Sequence, residues 1–375
     1  MKSLVVIAGE ISGDTHAAEL LRALPDEAGW DISGLGGPRM ASLSEGVEDW
    51  LDEAAVLGLL EVLKKYGYFR VKMEETVAHI HEKNPDGILL VDYPGFNLRL
   101  AKRLREEGFG GKLLFYISPQ VWAWKKGRIK SMAKLLDLMI CIFPFEKELY
   151  EESGLKTEFS GHPLIDEMKE VKDETLSRDP NLVAMLPGSR EREIAKLFPP
   201  MLEAAAKLHS SRPELRFATT GATPALTSLL SNMVQETGLT EVFSVGEFTS
   251  QEIMQKAGVG IVASGTATLE AACLGLPYCL TYKVAWLTAQ VAKRVMSVDF
   301  LGIVNVLADR EVVRELLQEE ARGDSMAREL GRLLDDDEAR QKIERDLAEV
   351  VASLGEGEAH EKAAHYVATA LSEKA

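Results

Sequence analysis

The stretch Val259-Gly260-Ile261-Val262 runs into Ala263-Ser264-Gly265-Thr266-Ala267-Thr268-Leu269-Glu270. An apolar strand ends there in small and hydroxyl residues and a glycine, and a helix opens with a carboxylate one turn in. Such a turn leaves backbone N–H groups and the positive end of a helix facing outward, which suits phosphate. It also sets Glu270 where a sugar hydroxyl is held. A second turn of this type lies upstream, where Val183-Ala184-Met185-Leu186 leads into Pro187-Gly188-Ser189-Arg190. Two phosphate-suited turns in one half of the chain point to a nucleotide carrying a diphosphate.

Outward from these turns, short apolar runs alternate with helical patterns. Strands are expected at 4–8, 31–35, 87–91, 112–117 and 138–142, with helices at 15–24, 98–107 and 146–152 between them. The charged segment 166–180 lacks apolar periodicity, ends in Asp179-Pro180 and reads as a linker. Strands then resume at 182–186, 216–219, 241–245, 259–262 and 278–282, and from about Val312 the chain reads as helical with no further strand. Near-continuous apolar strands separated by helices indicate parallel, doubly wound sheets. The expected architecture is α/β: two Rossmann-like domains, over 1–170 and 171–340, facing a central cleft, the second carrying both phosphate-suited turns. A helical segment over 341–375 packs back on the first domain or on a partner subunit in a homodimer, and periodicity does not choose.

Composition narrows the function. At 375 residues two domains are the default, and a net charge of -16 argues against nucleic acid as the main partner. Cys141, Cys273 and Cys279 have neither zinc-finger nor redox spacing and read as reduced thiols. Leu4–Ala8 is too short for a signal peptide's apolar region, and no stretch reaches the roughly 20 apolar residues of a membrane span. The expectation is a cytoplasmic protein with peripheral membrane contact at most.

Five further places carry chemistry. In Gly9-Glu10-Ile11-Ser12-Gly13-Asp14 the spacing is not that of a dinucleotide fingerprint, and two acidic groups would repel a pyrophosphate. The turn suits a polyhydroxylated acceptor, or else Ser12 or Asp14 caps the helix. Asp92 ends the strand Gly87–Val91, where burial raises its pKa and favours a proton-accepting role over merely ordering the following Pro94-Gly95 turn. Trp122 and Trp124 lead into Lys125, Lys126, Arg128 and Lys130, which reads equally as a structural wedge with a solvated face or as a mouth for an amphipathic, phosphorylated substrate. The run from Val56 to Arg70 spreads Val56, Leu57, Leu60, Leu63 and Tyr66 over more than one helical face, which fits core burial or a lipid-contacting helix. His162 is a catalytic candidate, although a histidine beside a Gly-Pro turn more often makes a structural bond. No cluster has metal-site spacing, and neither metal nor cofactor is expected.

Taken together, AGEISGD, GGPRM, VDYPGFNLRLAKRLR, YISPQVWAWKKGRIK, PFEKELYE, GHPLID, LPGSRE, ASGTATLEA and ADREVVRELLQEE resemble, in order, the lipid-A-disaccharide synthases. These are inverting glycosyltransferases of the GT-B type. The resemblance covers about residues 8–320. It implies transfer of 2,3-diacylglucosamine from its UDP derivative to 2,3-diacylglucosamine 1-phosphate, giving the β-1,6-linked disaccharide 1-phosphate and UDP at the inner membrane face. It implies that Asp92 is a catalytic carboxylate and Arg190 an essential arginine. It also places Ser264, Thr268 and Glu270 in the nucleotide site, and Asn305 in a polar loop facing the cleft. The chain departs from the usual family pattern at Ile11, Gly95, Ile303–Val304 and Asp309. Two other readings stay open: a UDP-sugar enzyme such as a UDP-N-acetylglucosamine 2-epimerase, and a non-catalytic UDP-sugar-binding protein.

Overall fold

A computed structural model describes residues 1–26, 29–54, 65–124, 126–284 and 299–373, with the backbone alone at 123, 124 and 126. The chain forms two compact units, Met1–Pro163 with Leu354–Ala375, and Leu164–Ser353. The units thus divide at 163/164 and 353/354, and the expected C-terminal segment is shared between them.

The first unit contains β1 (Lys2–Ala8), β2 (Trp30–Gly36), β3 (Gly46–Asp49), β4 (Gly87–Val91), β5 (Lys112–Tyr116), β6 (Leu138–Cys141) and β7 (Thr157–Phe159). They form a parallel sheet in the order β3-β2-β1-β4-β5-β6-β7. Every residue of β4 is buried, because helices cover both faces of a central parallel strand. Register pairs Ala8 with Val91, so the turn after β1 and Asp92 after β4 leave the sheet side by side. The last helix, Ala359–Ser372, belongs to this unit and contributes Ala363, Ala364 and Val367 to its core.

The second unit contains β8 (Asp179–Leu186), β9 (Arg216–Thr219), β10 (Phe243–Val245), β11 (Ala257–Ala263), β12 (Tyr278–Tyr282) and β13 (Glu315–Leu317). The order is β10-β9-β8-β11-β12-β13, all parallel. Leu186 pairs with Val262, which brings the two glycine turns out side by side at the carboxyl end of the sheet.

Two expectations change. The segment read as a linker begins with the helix Leu164–Val171, which buries Leu164, Ile165 and Met168 on one face. And β13 follows Val312, where no strand was expected; it is a three-residue edge strand, too short for a period to register.

Candidate functional site

In the first unit the chain passes through two consecutive left-handed residues, Asp92 at φ 44° and Tyr93 at φ 46°. Each costs on the order of 1–3 kcal/mol, and such strain persists only where neighbours over-determine it. Here the Asp92 N–H donates to the Tyr116 carbonyl at 2.9 Å, and Asn97 Nδ2 donates to the Asp92 carbonyl at 2.7 Å. Gly9 is required opposite, because a Cβ there would lie 2.3 Å from the Tyr93 ring. Burial, then the charge of Glu10, pushes the Asp92 carboxyl up to about 6. A carboxylate of that strength is ionised at neutral pH yet basic enough to accept a proton in a transition state.

Glu10 and Ser12 are exposed, at the start of the helix Ile11–Arg22. Asp14 is placed otherwise than with an acceptor: it is buried and accepts the N–H groups of Gly37, Arg39 and Met40 at 2.8–3.0 Å. It caps a helix, as the alternative reading had it, but the next one, Pro38–Ala41, rather than its own.

Trp122 also turns inward. It is buried, donates from Nε1 to Glu146 Oε1 at 2.8 Å, and meets the Phe145 ring edge-on at 4.9 Å. It therefore leaves the acceptor mouth proposed from its sequence context. Desolvation pushes the Glu146 carboxyl up to about 7. Trp124 lies in the short helix Val121–Trp124. Val56, Leu57, Leu60 and Leu63 lie outside the described residues, whereas Tyr66 is exposed at the start of the helix Tyr66–Lys83.

In the second unit the two turns line one cavity of about 650 Å³, a size suited to a small ligand. Gly188, Ser189, Arg190, Ser264, Gly265, Thr266, Ala267 and Glu270 all form its walls. Gly188 has φ 109°, and a Cβ there would lie 2.4 Å from Glu193 Oε2. Arg190 is exposed and stands at the start of the helix Glu191–Ser211. Gly265, at φ 152°, opens the helix Thr266–Cys273. Glu270 is partly buried and accepts Gln251 Nε2 at 3.2 Å; burial first, then Glu167, raises its pKa.

Two assigned residues do not line this cavity. Thr268 is buried, with its hydroxyl donating to the Gly265 carbonyl at 2.7 Å, so it shapes the turn from within. Asn305 is fully buried: its amide donates to the Val313 carbonyl and Glu315, and its carbonyl accepts the Val312 and Val313 N–H groups, all at 2.8–3.0 Å. No hydrogen-bonding capacity is left for a nucleotide, so Asn305 is corrected to a structural tie. The cavity walls also include Glu193, Thr220–Ala222 and Gly246–Glu252, at the ends of β8, β9 and β10, which no motif had flagged. Their only signal was position, at carboxyl ends of parallel strands.

His162 is largely enclosed; its N–H donates to the Leu354 carbonyl at 2.9 Å and its ring packs on Phe143. Burial, then His16, lowers its pKa to about 4. Among the described residues no cluster of His, Cys, Asp and Glu has the makings of a metal site, and no helix is long and apolar enough to cross a membrane.

Two parallel-sheet α/β units, the second with paired glycine turns on one cavity, define the GT-B class. In fold the chain is similar to UDP-GlcNAc 2-epimerase from Neisseria meningitidis bound to UDP-GlcNAc, with TM-score 0.60, 13% identity, and 98% of this chain and 100% of that one covered. It is similar also to CalG4, the calicheamicin glycosyltransferase, with TM-score 0.56, 13% identity, and 99% and 98% covered. The lipid-A-disaccharide synthetase family model matches residues 4–370. Lipid-A-disaccharide synthase of Geobacter sulfurreducens is 40% identical, covering 97% of this chain and 96% of that one, and that of Persephonella marina is 37% identical, covering 98% of each. The chain belongs to the lipid-A-disaccharide synthase family and is a glycosyltransferase of lipid A biosynthesis. The epimerase-like reading rests on fold alone and is set aside.

Proposed function

We propose that the second unit binds the UDP moiety of UDP-2,3-diacylglucosamine and that the first receives 2,3-diacylglucosamine 1-phosphate as acceptor. One observation carries the reading: both phosphate-suited turns and Glu270 line a single cavity. The N–H groups after Ser264 and the Arg190 guanidinium neutralise charge growing on the departing UDP, and Glu270 holds a ribose hydroxyl. Asp92 accepts the proton of the acceptor's 6-hydroxyl as that oxygen attacks the anomeric carbon. The C–O bond to UDP breaks as the new bond forms, which inverts the anomeric centre.

The run 56–70 is read as the contact with the inner face of the cytoplasmic membrane, where both acylated substrates reside. The test is UDP release from UDP-2,3-diacylglucosamine in detergent, with and without the acceptor, in the presence of a chelator. Release that depends on the acceptor supports the reading. UDP binding without acceptor-dependent release would refute it and favour a binding protein.

A further inference from the structure

A cavity in the first unit lies between the helices Tyr66–Lys83 and Pro94–Glu106, at the end of the run 56–70; its volume is about 480 Å³. Spacing of i, i+3, i+4 and i+7 sets Tyr66, Phe69, Arg70 and Met73 along one helix, and Phe96 and Arg99 line the other. Phe69 meets the buried Trp50 edge-on, which anchors the apolar floor in the core.

The charges on this cavity are not equivalent. Arg103 meets both carboxylate oxygens of Glu74, at 2.8 and 2.9 Å, and Glu107 at 2.5 Å, so its donors are engaged. Arg70 and Arg99 are exposed, and neither makes an ion pair with a described residue. Glu10 and Tyr93 wall the same cavity, and both adjoin Asp92. Along the second helix Arg99 stands ~8 Å beyond Pro94, at 1.5 Å per residue.

The geometry points to this cavity as the seat of the acceptor's phosphate monoester, clasped by Arg70 and Arg99, with the sugar reaching toward Asp92 and the apolar part of the molecule against Phe69, Met73 and Phe96. The inference rests on the acceptor reading above. Planar guanidinium donors suit a phosphate better than a point cation would, and an apolar floor favours an amphiphile over free phosphate.

The test compares the full-length wild type with Arg70→Gln, Arg99→Gln and the double variant in neutral detergent micelles. Each acts on 2,3-diacylglucosamine with and without its 1-phosphate. Each single change is expected to raise the KM for the phosphorylated acceptor about tenfold, or about 1.4 kcal/mol. The pair approaches a hundredfold and loses the preference for the phosphorylated acceptor, while donor KM and melting temperature stay put. Arg99→Lys, which keeps the charge, recovers part of the loss. An unchanged acceptor KM in the double variant overturns the inference while leaving the transferase reading intact. So does a defect seen only on anionic vesicles, which would assign the cations to a lipid surface. A wild type that releases no UDP in response to acceptor would sink the transferase reading itself.

Discussion

Arg190 Nη1 lies 3.0 Å from Glu193 Oε1, and the other oxygen of that carboxylate accepts the Ser189 N–H at 3.2 Å. The turn proposed to hold the donor's diphosphate is therefore engaged by an anion of its own chain. A phosphate entering this turn has to displace Glu193. An exposed pair of this kind is worth about 0.2–1 kcal/mol. Glu193→Gln is therefore expected to tighten UDP binding about two- to fivefold by calorimetry. Arg190→Ala is expected to lower turnover ~10²–10³-fold. Weaker UDP binding in Glu193→Gln would show that the carboxylate supports the site rather than competing for it.

Asp92 gives a pH signature. Its carboxyl is pushed up to about 6, so the proton-accepting form is depleted as pH falls through that value. With Asp92 as base, kcat/KM should be level above pH 7 and fall tenfold per unit below about pH 6. Asp92→Asn should be slower by about 10²–10⁴ and lack that limb. An unchanged limb in the asparagine variant would move the base elsewhere.

Asn305 separates stability from binding. Truncation to alanine strands the Val312 and Val313 N–H groups and the Val313 carbonyl inside the second unit. The expected loss is about 2–4 kcal/mol of unfolding free energy, read by denaturant titration. The affinity of the folded fraction for UDP should stay within twofold. A tenfold loss of affinity at normal stability would restore Asn305 to the nucleotide site.

Glu146 ties stability to pH in the first unit. Its folded pKa of about 7 exceeds the ordinary 4.5, so between these values the folded state keeps a proton that the unfolded chain releases. Stability from this group is complete below about pH 4.5 and is lost as pH rises through 7, by up to about 3 kcal/mol. The melting temperature of the wild type relative to Glu146→Gln should therefore fall between pH 5 and pH 8. A constant difference would mean that Glu146 is ionised throughout, held by the Trp122 donor.

The central strands were legible because both faces of a parallel sheet are covered. Gly87–Val91 and Tyr278–Tyr282 were read to the residue from unbroken or nearly unbroken apolar runs, and Arg216–Thr219 from its shorter Phe217-Ala218 centre. Gly46–Asp49, Thr157–Phe159 and Glu315–Leu317 were missed, being three- or four-residue strands in which one neighbour is absent or short and the apolar requirement is relaxed.

At the sites, the two glycine turns could be paired because a phosphate turn is a local feature of strand end, glycine and helix start. Asp14, Trp122, Thr268 and Asn305 are polar or half-polar residues whose partners lie within their own unit, mostly on backbone. Sequence shows that such a group needs a partner but not that the partner is already present. Arg70 and Arg99 were hidden for the opposite reason. Their significance lies in the ion pairs they lack, while Arg103, on the same helix as Arg99, is fully engaged.

The helix Ala359–Ser372 completes the core of the first unit from the far end of the chain, with the whole of Leu164–Ser353 intervening. A ribosome therefore begins the first unit before the second but cannot finish it until the whole of the second has been made. Through most of synthesis the apolar surface around Leu20, Leu89 and Leu114 waits for Ala363 and Val367, while the second unit emerges entire and is free to fold. The nascent chain is thus most exposed to misassembly in the half that leaves the exit tunnel first.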